Sequence, residues 1–380
     1  MMATTVYRYL FADLLTNQIL AELPLTGVSF TQVLNAAGTF QGHIMLSDLS
    51  EAGYDLTNTT IPGRTAIYVD RNGVLVWGGI LWTRQYDSAT QSLTFTGREF
   101  ESYFEKRLIV TQQAPYYLNY VAVDQLTIAQ DLINVAQSVT GGNIGVVVGT
   151  ETSGKLINRT FYPYQYKDYF SAISDMSKAG STFGFDFNID VQYDSTGTPT
   201  KLLRLDYPYR GKVYSASDPS ALVIDFPGSP EKYTWMENGA LIANTVYAVG
   251  AGSAPSNYLG YYADTTHTSS GWPLYEVTAN YSDVYDTNLL NTLAQGQVQA
   301  QLNPVVNGQI ALPAYVDPVL GSYRTGDQIL LRFTDDRFPK TGSGFGYTVV
   351  KRITAINVQA GENSPELVTL TTADLPFVPA

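Results

Sequence analysis

Few residues in this chain have catalytic chemistry to offer. Its 380 residues include no cysteine and two histidines. The first count removes disulfides, thiolate metal sites and cysteine nucleophiles. The second removes any multi-histidine metal cluster. His43 lies in the strand-like run Gln41-Gly42-His43-Ile44-Met45-Leu46 and reads as structural. His267 lies in Thr265-Thr266-His267-Thr268-Ser269, a polar stretch read as exposed. No G-x-S-x-G elbow accompanies them, as a serine hydrolase would need. Carboxylates are more plentiful, and a glycosidase needs two facing one cleft about 5–9 Å apart. Asp335 and Asp336 are adjacent, so an extended chain points them apart; with Phe338-Pro339 following, a hairpin tip is expected. Asp186 and Asp190 share one face of a strand at roughly 13 Å. Phe183, Phe185, Phe187 and Ile189 take the other face, so the two acids are expected on the solvent side. Asp194-Ser195-Thr196-Gly197 has a single acid, where a calcium loop needs several, and is read as a turn. Thr341-Gly342-Ser343-Gly344-Phe345-Gly346 lacks the Lys-Ser/Thr pair of a phosphate loop and is read as a loop tip. No catalytic, cofactor-binding or metal-binding residue is assigned.

Tyrosine is the residue type that stands out, with 28 copies. Three loop-like clusters hold many of them: Tyr116-Tyr117-Leu118-Asn119-Tyr120, Phe161-Tyr162-Pro163-Tyr164-Gln165-Tyr166 and Tyr258-Leu259-Gly260-Tyr261-Tyr262. A tyrosine combines a large apolar face with a polar tip and is enriched at interfaces. The same ring can fill a crevice in the core or stack on a sugar. Subunit contact is the reading adopted for Tyr116, Tyr117, Tyr120, Tyr162, Tyr164, Tyr166, Tyr261 and Tyr262, with crevice filling and glycan binding as the alternatives.

Charge narrows the class further. Lys+Arg number 22 and Asp+Glu 34, giving a net charge of −12. Phosphate affinity comes from clustered cations, so a nucleic-acid reader is not expected. Charged residues make up 15% of the chain, against roughly 25% in an average soluble protein. No apolar stretch approaches the roughly 18 residues of a spanning helix. The N-terminal run MMATTVYRYLFADLL lacks a basic start and a small-residue cleavage site, so it is not read as a signal peptide, and synthesis in a cytoplasm is expected.

The elements that must position these residues are mostly strands. Gly63-Arg64-Thr65-Ala66-Ile67-Tyr68-Val69 is rich in β-branched and aromatic residues. Asn72-Gly73 then marks a hairpin, and a return strand runs through Trp77-Gly78-Gly79-Ile80, whose paired glycines suggest a bulge. Asp124, Asp168 and Asp286 stand before three segments with apolar residues near every 3.6 positions and are expected to cap helices. Gly180 is expected to end the second helix. Residues 244–250 read as a strand, and 251–283 as a long surface excursion. A pattern repeats. Pro62-Gly63 before the strand 64–69 matches Thr325-Gly326 before 328–331, and in both places a hairpin and a final Leu-Thr-rich strand follow. The fold class expected is mainly β with an α+β insert: two antiparallel β-barrel domains flanking a helix-sheet module. The boundaries expected are 1–110, 111–212 and 213–380, the last with a Tyr/Ser-rich and helical insertion at about 251–304.

This layout resembles that of phage tail hub proteins. The stretch Gly63-Arg64-Thr65-Ala66-Ile67-Tyr68-Val69-Asp70-Arg71-Asn72-Gly73-Val74-Leu75-Val76-Trp77-Gly78-Gly79-Ile80 resembles the N-terminal module of minor tail proteins from long-tailed phages of actinobacteria. Residues 172–189, a helix followed by Gly180-x-x-Phe183-Gly184-Phe185-Asp186-Phe187, resemble that family's insert domain. Asn244-Thr245-Val246-Tyr247-Ala248-Val249-Gly250 resembles the opening strand of its second barrel. The resemblance implies a non-enzymatic homotrimer whose six barrels adapt a six-fold tail tube to a three-fold tip. It implies as partners the distal tail protein, the C-terminus of the tape-measure protein and tail fibre or tip proteins, with DNA passing nearby unbound. It also implies a place at the tail tip of a virion. Two alternatives stand beside it: a carbohydrate-binding or carbohydrate-active β-protein, and a secretion-system spike hub with the same barrel architecture.

Overall fold

The computed structural model describes residues 5–49, 55–110, 117–178, 184–214, 218, 220–340, 342, 344–361 and 365–375. The first part of the chain contributes seven strands: β1 (Tyr7–Asp13), β2 (Ile19–Glu22), β3 (Thr26–Val33), β4 (Thr39–Met45), β5 (Thr65–Arg71), β6 (Val74–Asp87) and β7 (Ser92–Glu99). Two single-turn helices, α1 (Leu56–Thr59) and α2 (Glu101–Phe104), flank the last three. A helix-sheet module follows. It holds β8 (Leu118–Asp124) paired with β10 (Leu156–Phe161), and a three-stranded sheet of β9 (Val146–Val147), β11 (Asp186–Tyr193) and β12 (Pro199–Asp206). Its helices are α3 (Gln125–Ser138) and α4 (Tyr169–Ser177). Asp124 and Asp168 cap them as expected, accepting from the backbone N–H groups of Leu126 and Ser171. Ala179, Gly180 and Phe183 lie outside the described residues.

The last part returns to β structure. It contains β13 (Val223–Phe226), β14 (Lys232–Asn238), β15 (Thr245–Val249), β16 (Leu259–Ala263), β17 (Glu276–Asn280), β18 (Val305–Pro313), β19 (Gln328–Phe333), β20 (Tyr347–Gln359) and β21 (Leu367–Ala373). Six of these join the first seven in one 13-stranded sheet, whose path runs β14-β18-β21-β20-β3-β4-β7-β6-β5-β1-β2, with β19 and β13 branching from β20.

The same strand order occurs twice along that path. In the first half β5, β6 and β7 form a meander; β1 pairs with its first strand, β4 with its last, and β3 with β4. In the second half β19, β20 and β21 form the meander; β13 pairs with its first strand, β18 with its last, and β14 with β18. One pairing differs in sense: β1 runs antiparallel to β5, whereas β13 runs parallel to β19. The halves meet where β20 pairs with β3. The expectation of two closed barrels needs correcting here. Among the described residues no strand pair closes either half; in the first half the edge of β3 is bonded to β20 and the edge of β1 to β2.

The core follows this joining. Tyr9, Phe11, Ile67, Val69 and Trp77 from the first half pack in one cluster with Ile310, Leu331, Ile353 and Leu370 from the second. Alternate residues of the same strands, Leu10, Ala12, Ala66 and Tyr68, turn the other way and pack with Leu126, Leu132, Ile173 and Phe187 of the module. The sheet is thus buried on both faces at β1 and β5, which is why β5 has no exposed position along its length. Gly78 and Gly79 serve this packing. A Cβ on Gly78 would stand 2.6 Å from Val191 Cγ1, so the glycine lets β11 lie against β6, while the register shifts of β6 fall on either side of the pair, at Val76 against β5 and between Leu81 and Thr83 against β7.

The segment 244–250 also departs from expectation. It does not open a second barrel; β15 is the central strand of a separate sheet in the order β16-β15-β17. The expected surface excursion supplies β16, β17 and a short helix, Thr265–Ser269. A long helix, Thr287–Gln301, capped by Asp286, packs Leu290, Leu293, Ala294 and Val298 against Val246 and Ala248.

Candidate functional site: tyrosine surfaces and charged junctions

The structure disperses the candidate catalytic residues. Among the described residues no group of three His, Cys, Asp or Glu side chains could hold a metal ion. His43 sits in β4. His267, expected to be exposed, is buried and stacked on Trp272 with ring centroids 4.6 Å apart. Asn244 bridges its ring to the Pro273 carbonyl. Asp335 accepts from the backbone N–H groups of Arg337 and Phe338, the turn expected, and Asp194 does the same for Thr196 and Thr198. Thr341 and Ser343 lie outside the described residues.

Asp186 overturns its expectation most clearly. It does not face solvent; it is buried and bonded to three parts of the chain. Its carboxylate accepts from Asn35 Nδ2 at 2.8 Å in the first half and from the Arg210 N–H at 2.7 Å after β12, and it is paired with the Arg352 guanidinium of β20. Arg352 also donates to the Gly326 and Arg210 carbonyls at 3.0 Å each. Asp190 is half-exposed and paired with Arg210. Alternation does not put Asp186 in water because both faces of the first half of β11 are covered: Phe187 and Ile189 enter the module core while Asn188 donates to the Val33 carbonyl of β3.

Two glutamates and a lysine are also buried between the first half and the module. Glu99 accepts from the Gly38 N–H and Glu101 from the Ile189 N–H, each at 2.6 Å. Burial, aided by Glu101, pushes the Glu99 carboxyl well up, against the Gly38 N–H. Burial also pushes Glu101 up to about 7, while the Ile189 N–H opposes it. Lys201 Nζ donates to Leu14 O, Asn17 Oδ1 and Ile144 O at 2.9, 2.6 and 2.5 Å. Burial pushes this ammonium down to about 7, and the field of Asp13 works the other way. Three donors meeting three acceptors hold the loop after β1 against the module.

A second buried junction ties the module to the small sheet. Arg159 of β10 and Lys167 both reach Asp283, at 3.0 and 2.9 Å, and Lys167 also reaches Asp175 of α4 at 2.8 Å. Burial alone would raise the Asp283 carboxyl, but Arg159 and then Lys167 outweigh it and hold it below its ordinary range. The composition passed over these residues, yet Arg159 carries a signal: it lies in phase with Ile157 and Phe161 on the buried side of β10. Lys201 is likewise in phase with Leu203 and Leu205. A cation at the apolar phase of a strand marks a buried pair or clamp.

The tyrosines divide by role. Tyr162 is central to a ring cluster, with Tyr117, Tyr164 and Tyr285 at 5.2, 5.3 and 6.0 Å between centroids, and Tyr285 continues to Tyr258 at 5.9 Å. This cluster crosses from the module to the small-sheet unit, alongside the Asp283 junction. Tyr164 and Tyr166 are each 68% exposed, Tyr166 held in a left-handed turn at φ 47°. Tyr120 bonds to Asp131 at 2.6 Å and packs on Phe161. Tyr262 packs against the core under the small sheet, while Tyr261 points outward beside Tyr247. Tyr116 lies outside the described residues. No helix among the described residues is long and apolar enough to cross a membrane.

No protein-family model matches this sequence, and no curated protein matches it. Solved structures do. The chain is similar to the 43 kDa tail protein of prophage MuSo2 from Shewanella oneidensis, with a TM-score of 0.59 at 10% identity over 97% of this chain and 98% of that one. It is similar to the tail protein of Neisseria meningitidis MC58, with a TM-score of 0.57 at 14% identity over 96% of each chain. It is similar to prophage tail protein gp18 of Listeria monocytogenes EGD-e, with a TM-score of 0.54 at 11% identity over 96% of this chain and 94% of that one. At these identities the likeness is one of architecture: over nearly its whole length, the chain has the fold of phage tail proteins.

Proposed function

We propose that this chain is a structural hub of a phage tail tip or baseplate, working as a homotrimeric ring and not as an enzyme. The observation that carries the reading is the six-strand order that occurs once in each half. Two similar barrel-like halves per chain make six in a trimer, so a three-fold ring can present six related faces to a six-fold tail tube. The near full-length likeness in fold to three tail proteins supports the same reading. In this account the ring lies beneath the distal tail protein, holds the C-terminus of the tape-measure protein and carries fibre or tip proteins below. Its place is the tail tip of the virion, after synthesis in the host cytoplasm. The hairpin pattern through Gly63 and Ile80 favours a long-tailed phage of actinobacteria as the source. A net charge of −12 suits a ring that DNA passes without being held.

The outward rings of Tyr164 and Tyr166, each 68% exposed at the edge of the Tyr162 cluster, are the contact between copies that the reading favours. Light scattering of the purified chain tests it. The expected mass is three times that of the chain, and the double variant Tyr164→Ser/Tyr166→Ser shifts the population toward monomer by about tenfold or more in association constant. A wild-type chain that stays monomeric at high concentration contradicts the reading.

A further inference from the structure

The small sheet β16-β15-β17 has one covered face and one open face. Val246, Ala248 and Gly260 point to the helix Thr287–Gln301; a Cβ on Gly260 would stand 2.5 Å from Leu290 Cβ. Two-residue alternation then turns Tyr247, Val249, Leu259 and Tyr261 outward. The register sets Tyr247 opposite Tyr261 and Val249 opposite Leu259, with the two tyrosine rings 5.2 Å apart. Tyr247, Leu259 and Tyr261 are 42%, 58% and 52% exposed. On the neighbouring strand Glu276 accepts from the Tyr247 hydroxyl at 3.0 Å, which places a carboxylate at the margin of the aromatic pair. A contiguous apolar face of this kind marks a contact site.

The segment that builds this face carries charge of one sign. Residues 233–323 contain no Lys or Arg, and carry Glu237, Asp264, Glu276, Asp283, Asp286 and Asp317. Of these six, Asp283 is neutralised by buried cations of the module and Glu237 is paired with Arg337. Exposed tyrosine faces and carboxylates both attract cations. The chain's own cations are poorly placed to answer, since twelve of the 22 are engaged in internal ion pairs and Lys201 is buried.

We propose that the open face of the β16-β15-β17 sheet docks a segment of a partner protein that carries Lys or Arg beside apolar side chains. The apolar groups rest on Leu259 and Tyr261, and a cation sits between the Tyr247 ring and Glu276. This contact is separate from the Tyr162–Tyr164 cluster and does not depend on the ring reading.

The test uses short synthetic peptides that alternate Lys with Leu, with twins in which Glu replaces Lys or Ser replaces Leu. Their binding to the full chain is followed by fluorescence anisotropy at low and high salt. The Lys/Leu peptide is expected to bind, with affinity falling as salt rises, and each twin to bind about tenfold more weakly. Tyr261→Ser is expected to weaken the Lys/Leu peptide about tenfold while leaving the thermal midpoint unchanged. Glu276→Lys, at an exposed position whose one side-chain contact is the Tyr247 hydroxyl, is expected to reverse the preference between the Lys and Glu peptides. That variant reads the proposal even where Tyr261→Ser folds poorly. Absence of Lys/Leu binding, equal binding by Glu276→Lys, or a self-association that Tyr261→Ser abolishes would each overturn it, the last by assigning the face to a second copy.

Discussion

Glu101 is buried with one oxygen accepting the Ile189 N–H and the other, Oε2, without a partner. A carboxylate so placed is stabilised by taking a proton, and burial moves its titration up to about 7. The unfolded chain loses that proton near the ordinary value of 4.5. Between those two values the folded chain binds more protons than the unfolded one, so stability falls as pH rises through that window. Glu99, pushed up beside it, titrates with it, so the slope belongs to the pair. Glu101→Gln keeps the acceptor for Ile189 and removes the charge. Urea unfolding is expected to show a gain on the order of 1–3 kcal/mol above neutral pH and a flatter slope below it. A variant whose pH profile copies the wild type contradicts the assignment. Lys201 acts in the opposite sense and a different window. Its pKa is lowered from 10.5 to about 7, so the stability it costs at low pH is recovered as pH rises between those values.

At the scale of elements, the close approach of β11 to β6 rests on Gly78. A methyl group there meets Val191, Phe100 and Tyr68 at 2.6, 3.0 and 3.0 Å, all in the packed interior. Gly78→Ala is expected to destabilise the chain by about 1–3 kcal/mol. Gly344→Ala, where nothing lies within 4 Å, is expected to be neutral. Equal denaturation midpoints for the two variants would remove Gly78 from the docking of the module. The same elements show what a sequence can and cannot reveal. Helices α3 and α4 and the helix Thr287–Gln301 were legible because a cap and an apolar stripe are local features, written within a few residues of one another. The meanders were legible for the same reason, each strand pairing with its neighbour in the chain. The junctions were not. Whether Asp186 faces water depends on whether another sheet covers β11, and its partners Asn35 and Arg352 lie 151 and 166 residues away. The placement of β15 failed likewise, since a strand's pattern does not say which sheet it joins.

On the scale of the whole molecule, three clusters of apolar side chains are connected by two buried charged junctions. One core is shared between the halves, so the halves are held as a unit and present their related strand orders in a fixed relation. That is the property a symmetry adaptor needs: two similar faces whose spacing does not drift. The Asp283 junction and the Tyr162 cluster fasten the small-sheet unit to the module, and leave its open face outward. The proposed hub is a ring of three copies with six related lobes. Electron-microscope averages of the purified protein decide this. Closed three-fold rings with six lobes of similar density around the centre are expected; single particles of one chain, or rings without that six-lobed repeat, would rule the hub out.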